Sequence, residues 1–205
     1  MPKSPPGSRG RREPAVPYSV RVSLVGVEPE VWRRVAVPSS ITLEKLNHVI
    51  QGAMGWMNSH LHEFEVGGMV YTDPEFELDV EHEDEAKVRL QDLVRRLPTV
   101  LLYQYDFGDS WSHVVLVEGH WLGEEEVSDL PRCVGGAEAC PPEDVGGVPG
   151  YQHFLEAVQD PEHEEYESMR TWVGEEFDPR AFDLKEADGR LKAVRRRSRI
   201  KAVRR

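Results

Sequence analysis

Apolar and polar residues alternate from Tyr18 to Leu24, with Tyr18, Val20, Val22 and Leu24 on one side. A period of two predicts a half-buried strand. Alternation resumes over 31–37 after Gly26 and Pro29, so 18–37 reads as an antiparallel hairpin. The spacing then changes. Leu43, Leu46, Ile50, Ala53 and Met54 recur at helical intervals, Ser39, Ser40 and Thr42 offer capping oxygens, and Gly55 supplies a stop. Residues 61–66 and 69–71 read as strands around the Gly67-Gly68 turn. The acidic stretch 73–87 has no apolar period and reads as a loop, followed by a helix over 86–97 carrying Leu90, Leu93, Val94 and Leu97. Two strong strands, 100–107 and 112–118, flank Gly108-Asp109-Ser110-Trp111. Residues 129–150 hold five Gly and four Pro and read as one long structured loop. Short helices are expected at 151–159 and 162–173, and a turn at 177–182.

The order of elements predicts an α+β domain with a mainly antiparallel sheet and packed helices. Its opening, hairpin then helix then hairpin, is reminiscent of a β-grasp. Trp32, Trp56, Phe64, Tyr105 and Trp111 are the expected aromatic core.

Charge divides the 205-residue chain into three parts. The whole chain carries −12. Residues 1–17, rich in Pro, Gly, Ser and Arg, carry +3 and read as a disordered leader without a signal peptide's apolar segment. Residues 190–205 hold nine basic residues and no acid, and read as a basic tail. The intervening body, 18–189, therefore carries −24 and reads as a single domain. Such a body repels nucleic-acid phosphates, so only the basic tails, above all through Arg195, Arg196, Arg197, Arg199 and Lys201, would attract them. No apolar run approaches the roughly 20 residues of a membrane span, and two cysteines are too few for a disulfide framework. A cytoplasmic protein without a membrane partner is expected.

Four stretches concentrate chemistry. His60 and His62 are two apart, and on a strand they would share a face as a metal half-site, with Glu63 on the other side. Asp106 and Asp109 flank a hairpin tip and His113 lies on its return strand, a set suited to a divalent cation or to acid–base work. The same carboxylates could instead satisfy turn amides. Cys133 and Cys140 are too widely spaced for a zinc knuckle, and buried free thiols are the simpler account unless His60 and His62 join them. Glu143 and Asp144 stand between two prolines and two glycines that would present them at a fixed place. Phosphate-loop, nucleophile-elbow and dinucleotide fingerprints are absent.

Several of these motifs together resemble a known family. Val31-Trp32-Arg33-Arg34-Val35, Gln51-Gly52-Ala53-Met54-Gly55-Trp56 and His60-Leu61-His62-Glu63-Phe64 look like its first half. Tyr105 through His113, and Ala139-Cys140-Pro141-Pro142-Glu143-Asp144 through Tyr151, look like its second. The chain is similar, from Tyr18 to Phe182, to the plasmid pRiA4b open-reading-frame-three-like family, whose members also carry an insertion-element passenger label. The resemblance implies a plasmid- or mobile-element-associated domain and no particular reaction. Val145 stands where many relatives have a third Cys, which weakens a thiolate site.

Three functions are compatible with these residues. The preferred one is a non-enzymatic interaction module whose acidic body meets a basic protein. The alternative is a metal-dependent hydrolase of nucleotides or nucleic acid, with His60, His62, Asp106, Asp109, His113, Glu143 and Asp144 in one cleft and Arg33 and Arg34 holding phosphate. The third is a nucleic-acid accessory protein working through its basic tails. No cofactor is established by sequence; a divalent metal is the one these residues would hold.

Overall fold

The computed structural model describes residues 16–76, 80–124, 126–174 and 177–195. Alternation does become strand: β1 (Pro17–Leu24) and β2 (Trp32–Pro38) form the opening hairpin. Helix α1 (Leu43–Met54) starts where Thr42 Oγ1 accepts the Lys45 amide and ends at Gly55, whose φ of 103° a residue with a side chain rarely adopts. A second hairpin, β3 (His62–Val66) and β4 (Met69–Thr72), follows, with β5 (His82–Asp84) parallel to β4. A single helical turn, α2 (Leu90–Leu93), precedes the long hairpin β6 (Thr99–Tyr105) and β7 (Trp111–His120). Strand β8 (Arg132–Ala137) and helices α3 (Gly147–Gln159), α4 (Tyr166–Val173) and α5 (Leu184–Arg190) complete the order.

The eight strands form one sheet, β5-β4-β3-β6-β7-β1-β2-β8, in which β4–β5 is the parallel pair. The fold is α+β, and hairpin, helix and hairpin open it as expected. Inward positions of the central strands (Val20, Val22, Phe64, Leu101, Tyr103, Val115) are fully or almost fully buried. They share one core with Leu46 and Ile50 of α1, Phe154 of α3 and Ala187 of α5. The opposite face of β6 meets solvent, with Val100 53% and Leu102 48% exposed, as an antiparallel sheet permits.

Several expectations are corrected. Residues 73–87 include β5, and 129–150 include β8 and the first turn of α3. The helix expected over 86–97 is one turn long; the proline at 98 excludes Leu97 from helical backbone. Trp32 is not in the core but lies on the outer face, with the Arg21 guanidinium 4.1 Å and that of Arg34 5.3 Å from its ring. The packed body runs past residue 189. Leu191 is fully buried, Arg190 donates to the Gly52 carbonyl, and Arg195 pairs with Asp188 at 3.1 Å. Arg195 is thus part of the body, whereas Arg196, Arg197, Arg199 and Lys201 lie outside the described residues.

Candidate metal centre and adjoining cleft

The site is organised by Tyr105, the last residue of β6. Trp56 stacks on its ring with centroids 5.1 Å apart, and Trp56 Nε1 donates to the Pro141 carbonyl. The Tyr105 hydroxyl accepts the Ser59 amide at 3.0 Å and donates to Glu143 Oε1 at 2.5 Å. One side chain therefore fixes the segment before His60 and the segment before Asp144. Burial raises its pKa, and the Glu143 carboxylate reinforces the shift, so the phenol keeps its proton. A second network locks 58–60 from below. Tyr103 donates to Asn47 Oδ1 of α1, Gln51 donates to Tyr103, and both helix side chains bond to Asn58.

Asp106 follows Tyr105 directly. Its amide donates to Leu61 O, and its Oδ1 accepts the Gly108 amide at 3.0 Å and that of Asp109 at 3.3 Å. These turn bonds leave Oδ2 facing His60 Nε2, 3.7 Å away. Asp144 Oδ1 approaches the same nitrogen at 3.0 Å. His60 Nε2 is shielded from solvent yet makes no well-directed hydrogen bond. One ligand atom from each of His60, Asp106 and Asp144 lies within 4.8 Å of the others. Asn58, Asp106 and Asp144 all have left-handed backbone, φ 59°, 55° and 61°. Asn and Asp adopt that conformation more readily than other residues with a side chain, which suits these three to the tight turns that carry the centre.

Asp109 supports the centre from outside. Its Oδ2 accepts the Gly146 amide at 3.1 Å, docking the hairpin tip on the 143–147 loop. A Cβ on Gly147 would sit 2.4 Å from Asp109 O, so only glycine allows this approach.

The remaining candidates are elsewhere. His60 precedes β3, so the expected shared face with His62 does not arise. His62 Nε2 lies 3.1 Å from both Glu85 oxygens in a buried pair. Glu63 pairs in register with Gln104 next to the inward Phe64 and Tyr103, on the outer face; burial and Glu65 raise its pKa. His113 is inside the core, its Nδ1 directed at the Tyr103 carbonyl, and burial lowers its pKa to about 4. Cys133 and Cys140 are free thiols; burial pushes Cys140 up to about 12, and neither joins a group of three potential ligands among the described residues. Arg33 is 3% exposed and spends its donors on four carbonyls, those of Trp32, Ala53, Ala137 and Glu138. Arg34 pairs with Glu118 on the outer face. Neither arginine reaches the centre's ligand atoms. The sequence reading missed Tyr105 as organiser and Glu85 as the partner of His62. A tyrosine amid buried strand residues and one acid among many give no local signal of either role.

Beside the centre opens a cleft of about 830 Å³, whose lining includes Trp56, Met57, Cys140, Glu143, Asp144 and Trp172. Met57 is 78% and Trp172 49% exposed, so its rim is apolar and accessible. Asp144 belongs to both the cleft and the centre.

Fold and site together define a single-sheet α+β domain with an imidazole–carboxylate centre at one hairpin tip. The chain belongs to the plasmid pRiA4b ORF-3-like protein family, whose model matches residues 17–186. It is 40% identical over 158 residues to the uncharacterized protein y4hQ of Sinorhizobium fredii (strain NBRC 101917 / NGR234), covering 76% of this chain and 79% of that one. It is also similar to the crystal structure of a protein of unknown function, MM3350 from Methanosarcina mazei Go1. There the identity is 36% and the TM-score 0.75, over 86% of this chain and 98% of that one. No helix among the described residues is long and apolar enough to cross a membrane.

Proposed function

We propose that this chain is a divalent-cation-dependent binding domain, with His60, Asp106 and Asp144 as ligands and the adjoining cleft as the place where its partner molecule docks. The observation that carries this reading is the convergence, within 4.8 Å, of ligand atoms from three separate segments. One imidazole and two carboxylates form an oxygen-rich set, suited to manganese or magnesium more than to a thiolate-seeking metal. The charge of −24 over 18–189 favours cation capture as well.

A second reading, hydrolysis of a phosphate ester, is favoured by one feature. Three protein ligands leave coordination positions for water and substrate, the arrangement of catalytic rather than structural centres. The test begins with manganese titration of the full chain by calorimetry. One equivalent is expected, lost in His60→Ala and Asp106→Asn. Absence of binding, or binding unchanged in both variants, overturns the proposal and leaves the non-enzymatic acidic module as the better reading. Turnover of a phosphodiester by the manganese-loaded chain, abolished in Asp106→Asn, would establish the hydrolytic version.

A further inference from the structure

We propose a second cation site, of zinc type, formed by His153 of α3 with His163 and Glu165 of the turn before α4, the helix whose Trp172 lines the cleft. It does not depend on the His60 centre. Tyr151, Phe154 and Ala157 turn the buried side of α3 to the core, which leaves His153 on the exposed side, 48% accessible. His153 Nε2 meets Glu165 Oε2 at 2.5 Å, and the His153 and His163 rings are 5.6 Å apart at 68°. One ligand atom from each of the three lies within 4.8 Å of the other two.

The turn is already folded. Asp160 Oδ1 accepts the Glu162 amide, Asp160 O accepts that of His163, and His163 O accepts that of Tyr166. Zinc bonds of about 2.0–2.2 Å in a tetrahedron place ligand atoms roughly 3.3 Å apart, so capture closes any pair now as far as 4.8 Å apart and opens the 2.5 Å His153–Glu165 contact slightly. It also needs one exchange. His163 Nδ1 now accepts the Glu165 amide at 3.1 Å, and the ring must give up that bond to offer a nitrogen to the ion. The donor chemistry differs from that of the first centre. Two imidazoles and one carboxylate select zinc, whereas one imidazole and two carboxylates suit manganese or magnesium. Glu156, Glu162, Glu164 and Glu167 surround the turn in sequence and add negative potential.

The site has a structural consequence. No residue of α4 is fully buried, although α4 carries Trp172 on the cleft. Helix α3 is anchored in the core and already meets α4 through Phe154 and Trp172, whose rings are 5.9 Å apart, so a metal joining His153 to the turn would add a second tie at the N-terminal end of α4. Zinc at this turn would then order one wall of the cleft.

The test uses the full chain without a histidine tag, titrated with zinc by calorimetry and followed by hydrogen exchange over 166–173. One zinc equivalent is expected that His153→Ala and His163→Ala each weaken at least tenfold and His60→Ala leaves unchanged. Exchange in α4 should slow severalfold with zinc in the parent chain only. Zinc binding that survives both histidine variants, that disappears only in His60→Ala, or that does not occur overturns the proposal. Bound zinc with unaltered exchange in α4 overturns the ordering role. Because manganese reports the His60 centre separately, failure of one site is distinguishable from failure of the other.

Discussion

His60 and His62 are two residues apart and each faces carboxylate, yet they occupy opposite kinds of place. His62 and Glu85 are both about 5% exposed at the side chain, and Thr72 closes the pocket by donating to the His62 carbonyl. His60 is 31% exposed at the side chain, and its partner Asp144 is 69% exposed. A pair sealed from solvent offers no opening to an ion or a substrate. A pair open on one side leaves room for an ion and what the ion carries. Exposure, not residue type, separates structure from candidate chemistry here.

The sealed pair is most vulnerable at Glu85. Glu85→Ala strips the carboxylate from a buried imidazole and leaves a cavity, and should destabilise the fold by about 3–5 kcal/mol in urea denaturation. A loss below about 1 kcal/mol would show that the sealed pair is not structural.

Acid provides the next test, through the buried His113. Its folded pKa of about 4 lies below the ordinary 6.5, so the unfolded chain binds the extra proton. The contribution is fully present above pH 6.5 and is lost as pH falls toward 4, amounting to roughly 3 kcal/mol. Unfolding midpoints measured from pH 7 to pH 4 should fall, and His113→Leu should flatten that slope, although carboxylates such as Glu118 and Asp188, held low by arginines, add their own loss at the acid end.

The smallest effect on stability is expected at Asp144. Asparagine tolerates its left-handed backbone, and the side chain is mostly exposed, so Asp144→Asn should change stability by no more than about 0.5 kcal/mol. Manganese affinity should nevertheless drop at least tenfold in calorimetry. Equal losses of stability and affinity would erase the distinction between the two histidines.

Much of the scaffold was legible in advance because it rests on local periodicity. Alternation located β1 and β2, two strong strands about the Gly108–Trp111 turn located β6 and β7, and the apolar stripe with its Gly55 stop located α1. Strand β8 escaped because its glycines answer to distant atoms. A Cβ on Gly136 would lie 2.6 Å from the Phe182 ring and 2.9 Å from Arg33, so bulk is excluded by partners far along the chain. Helix α5 did carry a signal, Asp183 three residues before Glu186, and its capping bond is present at 3.0 Å. The basic run beyond it obscured that signal, although Leu191 and Arg195 belong to the packed body.

The sequence by itself determined the α+β pattern, the family, and the set of residue types from which a centre could be made. Charge, period and turn chemistry are properties of neighbours along the chain, so they can be read there. Only the tertiary structure decided which acids join which histidine. Asp106 and Asp144 meet His60 because the Tyr105 hydroxyl binds both the Ser59 amide and Glu143, from segments 46 and 38 residues away. Glu85 closes on His62 because β3, β4 and the segment after β5 are held side by side by the Thr72 bonds to His62 O and from the Glu85 amide. Such meetings depend on how strands pair and loops dock, and the burial that results fixes which imidazole is sealed and which stays open.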